Sequence, residues 1–499
     1  MPLSHTAPRA PRRELGCWLV LAALFGVSRL VAWWAGLRFQ VEPLGVFWQY
    51  LDPDLLRGDL LRSLLFLHAQ PPLFNAFLGV VLKLGGGASG WLFAVLFLGF
   101  GAAYTAVTYV VMRRLGVRDW LAMLLTVLLV CRPATLLLES WLMYDLPVAL
   151  LVMLAALALQ RCFERPELGP RAISAAAALR RPSGVLHGFS WALLALCLTR
   201  SLFHPLFLWL ACAALLFAPG LGLSRRRRFV ALLLPLALVS AWQVKNLTLF
   251  GTASTSSWLG MNVLRIATAA LPAGEAERLV EKGSLRVAHL QPFSALRRYP
   301  EDLRDETSAP SIEHPAVSME RKSTGASNYN HWAYLEISDA SMQDALWLVR
   351  HRPAVYLRGL ATAWYNYFQP QSTVEHLRSS RALLGAWADV WEGLMYVSVP
   401  TPWTYRGTLR HLPLAPMIAF PVLLVWGVLA MRRAAQRADH ATAATLAFAC
   451  AVVVWVAVVG NSLEVWENQR FRFYSDACSA LLGAHLIETL LRRRRRSAP

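Results

Sequence analysis

Charge is scarce in this 499-residue chain: only 16% of residues are Asp, Glu, Lys or Arg, against 56% that are apolar, and mean hydropathy is +0.42. That balance excludes an ordinary soluble domain and points to a protein that crosses a bilayer many times. Cysteine is also sparse. The seven cysteines (17, 131, 162, 197, 212, 450 and 478) fall in or beside apolar stretches without metal-ligand spacing, so neither a disulfide framework nor a cysteine metal site is expected. No nucleic-acid motif, internal repeat or heptad array is present, and the first apolar run lacks a small-residue cleavage site, which makes it an uncleaved first span.

Acidic residues are outnumbered by basic ones, 30 to 49. The excess is mostly arginine in short runs between apolar segments: Arg113–Arg114, Arg180–Arg181, Arg225 to Arg228, Arg432–Arg433 and Arg492 to Arg496. Such runs fit cytosolic loops under the positive-inside rule better than a nucleic-acid surface.

A span needs about 20 mostly apolar residues. Ten candidates meet that need, near 17–36, 91–112, 120–138, 146–160, 186–203, 205–223, 229–249, 412–431, 442–460 and 474–491. With the N-terminus inside, every arginine run falls on the cytosolic side. The apolar stretch 72–84 is too short to span and would invert everything after it, so it is expected to lie along the outer face.

The predicted fold is therefore an all-α polytopic bundle in three parts: a membrane module over 1–249 with two outer loops, a large extracytoplasmic segment over 250–411, and C-terminal membrane helices over 412–499. Both termini are expected in the cytosol. Within the large segment the polar middle, 308–328, is expected to be mobile, and 354–367 and 382–397 to be interfacial.

Ionisable groups in or beside spans are costly and therefore informative. Arg29, Arg132, Arg200, Lys245, Arg470 and Arg472 cluster at the outer ends of spans, each open to a structural role as an ion pair and jointly suited to an anionic head group. Carboxylates gather at the same level: Asp52 and Asp54, Glu139 and Asp145, Glu464 and Glu467. Asp52 and Asp54 sit in Asp-Pro-Asp, which is also ordinary turn chemistry, and Asp145 before Pro147 also suits a helix cap. His68 and Gln70 precede the Pro71–Pro72 pair. Ser256, Ser257 and Asn262 offer hydroxyls and an amide to a sugar or phosphate, while Trp48, Tyr50, Trp141, Tyr144 and Trp258 suit either sugar platforms or an interfacial aromatic belt.

Taken in order, "YLDPDLLRGDLL", "HAQPPLFNAFLGVVLKLGG", "RRLG", "YDLP" and, more loosely, "ENQRFRFYSD" resemble the C-type membrane glycosyltransferase superfamily, which includes protein O-mannosyltransferases and the lipid A aminoarabinose transferase. The resemblance is fullest over 16–250. It implies an enzyme of the cell envelope that transfers a sugar from a polyprenyl-phosphate donor to an acceptor hydroxyl at the outer face with inversion; the cysteine-free active region and the bias of arginine over lysine fit a bacterial inner membrane.

By the resemblance, Asp52 would be the general base with Asp54 competing, and Asp145 would orient the acceptor or bind a divalent cation, the one cofactor left open. Arg470, Arg472, Arg200 and Lys245 would hold the donor phosphate. His68, Gln70, Glu139, Tyr144, Ser257 and Asn262 are the expected substrate contacts. The Asp-Pro-Asp element departs from the family's adjacent Asp-Glu, and the rival reading is a transporter or flippase of a lipid-linked or anionic substrate.

Overall fold

The computed structural model describes residues 11–163, 182–304, 312–405 and 408–497. Arg180 and Arg181, with the front of the expected mobile stretch at 308–311, lie outside them. The described chain is almost wholly helical; its one sheet is a two-stranded antiparallel ribbon pairing Ser398–Tyr405 with Thr408–Pro413.

Among the described residues, six helices are long and apolar enough to cross a membrane: Glu14–Trp34, Pro72–Arg114, Asp145–Cys162, Arg225–Phe250, Leu414–Gln436 and His440–Leu463. The chain is an integral multi-pass membrane protein. Each of the ten predicted spans has a helical counterpart, yet not all are alike. The 120–138 span is a pair, Asp119–Val130 and Pro133–Glu139, bent by 59°. The cause is local: Arg132 before Pro133 is forced to extended backbone (ψ 147°), and proline has no N–H to continue the ladder. Pro205–Phe217 has 13 residues, a rise of about 20 Å that falls short of a hydrocarbon core. Asn468–Ser497 has ample length but carries polar groups along it.

The short Pro72–Gly85 helix forms as its sequence suggests. Pro71 caps it in extended backbone and Pro72 stands at its first position, where the missing N–H is no loss. Only a 3₁₀ turn, with Gly86 at φ +47°, separates it from Ser89–Arg114, so the expected stand-alone outer-face helix is continuous with the next span apart from that turn.

Asp145–Cys162 is the hub, with 72% of its apolar window buried, whereas Leu414–Gln436 (11%) and Glu14–Trp34 (17%) leave most of theirs open toward lipid. Ala149, Ala155 and Ala156 on the hub let the neighbouring helices Ser89–Arg114, Pro182–Thr199, His440–Leu463 and Asn468–Ser497 approach closely.

The 250–411 segment folds over the helix ends. Leu259–Thr268 packs on Ala333–His351 so tightly that a Cβ at Gly260 would sit 1.8 Å from the Ser338 carbonyl oxygen. The described part of the polar middle is bonded to the first loop. Lys322 Nζ donates to the Phe47 carbonyl (2.7 Å), Thr324 to that of Gly45 (2.7 Å), and Asn330 Oδ1 accepts from the backbone of His68 (2.9 Å) and Ala69 (3.0 Å). Residues 312–330 thus clasp the first loop.

Candidate functional site

A cleft of about 1000 Å³, its open mouth included, lies where the Asn468–Ser497 and His440–Leu463 helices meet the first loop and the start of the 250–411 segment. Arg200, Arg265 and Arg470 line it with Glu464 and Glu467; Trp48, Trp258, Phe293 and Phe471 supply aromatic walls, and Gln49, Gln70, Thr255, Ser256 and Asn262 polar ones.

Arg470 is 1% exposed. Its Nη2 lies 3.0 Å from Glu467 Oε2 and its Nε 3.5 Å from Asp145 Oδ1, but none of its three side-chain nitrogens makes an aligned hydrogen bond. Leaving buried polar donors unpaired costs about 1–3 kcal/mol each, more when charged, so such a group marks a site completed by something else. Arg200 stands nearby. It donates to the Tyr144 hydroxyl (2.5 Å) and lies over the Tyr144 and Phe471 rings; its buried Nε has no hydrogen-bond partner.

The carboxylates are arranged around these cations. Asp145 is fully buried at the first turn of its helix, and the expected cap is absent: it accepts from Tyr474 (2.7 Å) rather than from backbone. Glu464 pairs with Arg265 (2.9 Å), and burial pushes its carboxyl up while Arg265 opposes. Burial alone would raise Glu467 too, but Arg470 and His376 hold it well below the usual carboxylate range. The two glutamates flanking one turn are therefore unequal: Glu464 is the better proton acceptor, Glu467 the fixed counter-charge.

Of the residues singled out from the sequence, the fold brings Arg470, Arg200, Glu464, Glu467, Gln70, Ser256, Asn262, Trp48 and Trp258 to the cleft, with Asp145 and Tyr144 directly behind the two arginines. Other candidates are engaged elsewhere. Asp52 caps the Pro53–Gly58 helix by accepting from Asp54 N (2.7 Å), and both its oxygens accept from Ser323, Oδ1 from the hydroxyl at 2.9 Å and Oδ2 from the backbone N–H. Asp54 is exposed beside Arg57. Buried His68 lies between Ser257 Oγ (2.8 Å) and the Asn330 carbonyl (2.9 Å), and burial lowers its pKa to about 3, so it is neutral and Ser257 is spent on it.

Glu139 is paired to Arg29 (2.6 Å). Lys245 donates to the Leu65 (3.0 Å) and Leu67 (2.8 Å) carbonyls, pinning the first loop. Arg472 faces away from the cleft, donating to Tyr367 O (2.9 Å), Gln369 O (3.1 Å) and Tyr396 Oη (2.6 Å); two residues from Arg470, it is turned about 200° around the helix. None of these residues lines the cleft itself.

Asp145 turns Oδ1 toward Arg470 and Tyr474, and its Oδ2 is buried without a hydrogen-bond partner. Among the described residues no three His, Cys, Asp or Glu side chains converge. Arg265 was missed by sequence reasoning; its signal was spacing, since Asn262 and Arg265 are three apart on the strongly amphipathic Leu259–Thr268 helix and so share a face.

No family model and no curated protein matches this chain. Two solved structures do, both of ArnT from Cupriavidus metallidurans: one bound to undecaprenyl phosphate (TM-score 0.30) and one in the apo state (TM-score 0.28), each 15% identical over 95% of this chain and 78% of that one.

Proposed function

We propose that this protein is a membrane glycosyltransferase that moves a sugar from a polyprenyl-phosphate donor to an acceptor hydroxyl at the extracytoplasmic face, with inversion. The observation that carries the reading is Arg470: a buried guanidinium with no aligned hydrogen bond, beside Arg200, at the edge of a cleft walled by aromatic rings and membrane helices. The motif order in the sequence points the same way.

In this reading the donor phosphate meets Arg470 and Arg200, which stabilise the charge that develops as the sugar's anomeric C–O bond breaks. Asp145 and Tyr474 hold Arg470 in place. The acceptor hydroxyl gives its proton to a carboxylate as its oxygen attacks the anomeric carbon, and the lipid phosphate departs. Glu464 is the base in this scheme, because it lines the cleft and burial raises its proton affinity. Asp52 is the second reading, favoured by its burial three residues from cleft-lining Gln49 and beside Lys322. Trp48, stacked on Phe293 at 4.8 Å, and Trp258 offer ring faces to the sugar.

The test is transfer from a radiolabelled polyprenyl-phosphate sugar by the purified protein in lipid, with Arg470→Gln, Glu464→Gln and Asp52→Asn compared side by side. Loss of transfer in Arg470→Gln is expected. Transfer undiminished in Arg470→Gln, or movement of the lipid-linked sugar across the bilayer with no product formed, would remove the enzyme reading in favour of a transporter.

A further inference from the structure

A second recess lies on the opposite side of the Asn468–Ser497 helix and shares no lining residue with the cleft. It encloses about 1100 Å³, mostly open, between the Asp119–Val130, Pro353–Phe368, Arg378–Tyr396 and Leu414–Gln436 helices. Its walls are largely apolar, with Leu125, Leu128, Leu129, Phe420 and Leu423 among them. Of those helices Leu414–Gln436 leaves most of its apolar face uncovered, so the recess opens toward lipid tails.

Its head end is charged. Arg132 and Arg472 both reach one carboxylate, Asp476, the second at 3.5 Å, so the cluster carries a net positive charge. Gln371 Nε2 also donates to Asp476 (2.7 Å). Arg472 spends its Nη1 and Nη2 on Tyr367 O, Gln369 O and Tyr396 Oη. Arg132 uses Nε on Thr135 Oγ1 (3.0 Å) and Nη1 on Asp476, but its Nη2 is buried without a partner. One excess cation and one orphan donor therefore stand at the end of an apolar channel, an arrangement that is costly unless an anion completes it.

We propose that this recess is a binding site for an anionic bilayer phospholipid, its headgroup phosphate accepting from Arg132 and its acyl chains lying along Leu125, Leu129, Phe420 and Leu423. The charge surplus selects an anionic over a zwitterionic headgroup, and the lateral opening favours a molecule arriving from the bilayer over a soluble phosphate. The inference does not depend on the reaction proposed for the cleft.

The full-length protein, reconstituted in nanodiscs of phosphatidylcholine with a minor fraction of phosphatidylglycerol and then extracted into mild detergent, is weighed by native mass spectrometry. The wild type is expected to keep phosphatidylglycerol at several times its bulk proportion. Ala419→Trp, a filling change at an exposed position that leaves every charge in place, is expected to abolish that enrichment, and Arg132→Gln with Asp476→Asn to lower it. Equal retention of phosphatidylcholine, enrichment unchanged by Ala419→Trp, or displacement by a polyprenyl phosphate but not by excess phosphatidylglycerol would each overturn the proposal.

Discussion

Arg470 and Asp145 meet at 3.5 Å, Nε to Oδ1, with 1% and 0% of their surface exposed, although 325 residues separate them in the chain. The pair joins the last helix to the hub helix. Glu467, just ahead of that helix, and Tyr474 on it complete the arrangement.

Because Asp145 neutralises Arg470 only in part, removing it should disturb the cation more than the fold. Asp145→Asn is expected to weaken donor binding by about tenfold to a hundredfold, or roughly 1.4–2.8 kcal/mol. Binding of a fluorescent polyprenyl-phosphate analogue measures it. Arg470→Lys is expected to restore little, since an ammonium lacks the planar fork that meets a phosphate.

Glu464→Gln is expected to slow transfer by about 10²–10⁴ while donor binding survives, the signature of a lost general base. The pH profile adds a sign. A base works only when deprotonated, and burial raises the Glu464 carboxyl, so activity should climb with pH along a limb that lies above the ordinary carboxylate range. Glu464→Gln should flatten that limb. An unchanged limb would remove Glu464 from the role.

Asp52 fastens the first loop to residues 322–324, so Asp52→Ala should cost about 1–2 kcal/mol through the lost cap and the freed Ser323 donors. Limited proteolysis in the 312–328 stretch reads the loosening directly. Ser323→Ala is expected to loosen the same stretch less, because Asp52 keeps the Ser323 and Asp54 backbone donors.

Lys322 gives the clasp a pH dependence. It is buried, and burial lowers its pKa to about 7 despite the opposing pull of Asp52, while the unfolded lysine titrates near 10.4. Between those values the unfolded chain holds the extra proton, so the clasp should strengthen as pH rises through that window and loosen as pH falls toward 7. Hydrogen exchange of the 312–330 amides from pH 7 to 9, corrected for intrinsic rate, tests it; Lys322→Met should remove the slope.

The sequence by itself determined the class and the helical inventory. Runs of about 20 apolar residues leave the backbone no choice but helix in lipid, and Pro53, Pro72, Pro133, Pro205 and Pro353 mark helix starts because proline is pre-organised for the first turn, where its missing N–H is no loss. Local chemistry was legible too: Asp52 does cap a turn, as Asp-Pro-Asp suggests. What the sequence left undecided was which charge meets which. Depth along the bilayer grouped Arg29, Arg132, Arg200, Lys245, Arg470 and Arg472 together, but depth says nothing of azimuth. Tertiary packing turned Arg470 and Arg200 to the cleft, gave Arg29 to Glu139 and Arg132 and Arg472 to Asp476, and spent Lys245 on carbonyls, because a buried cation takes the nearest acceptor that its helix face presents.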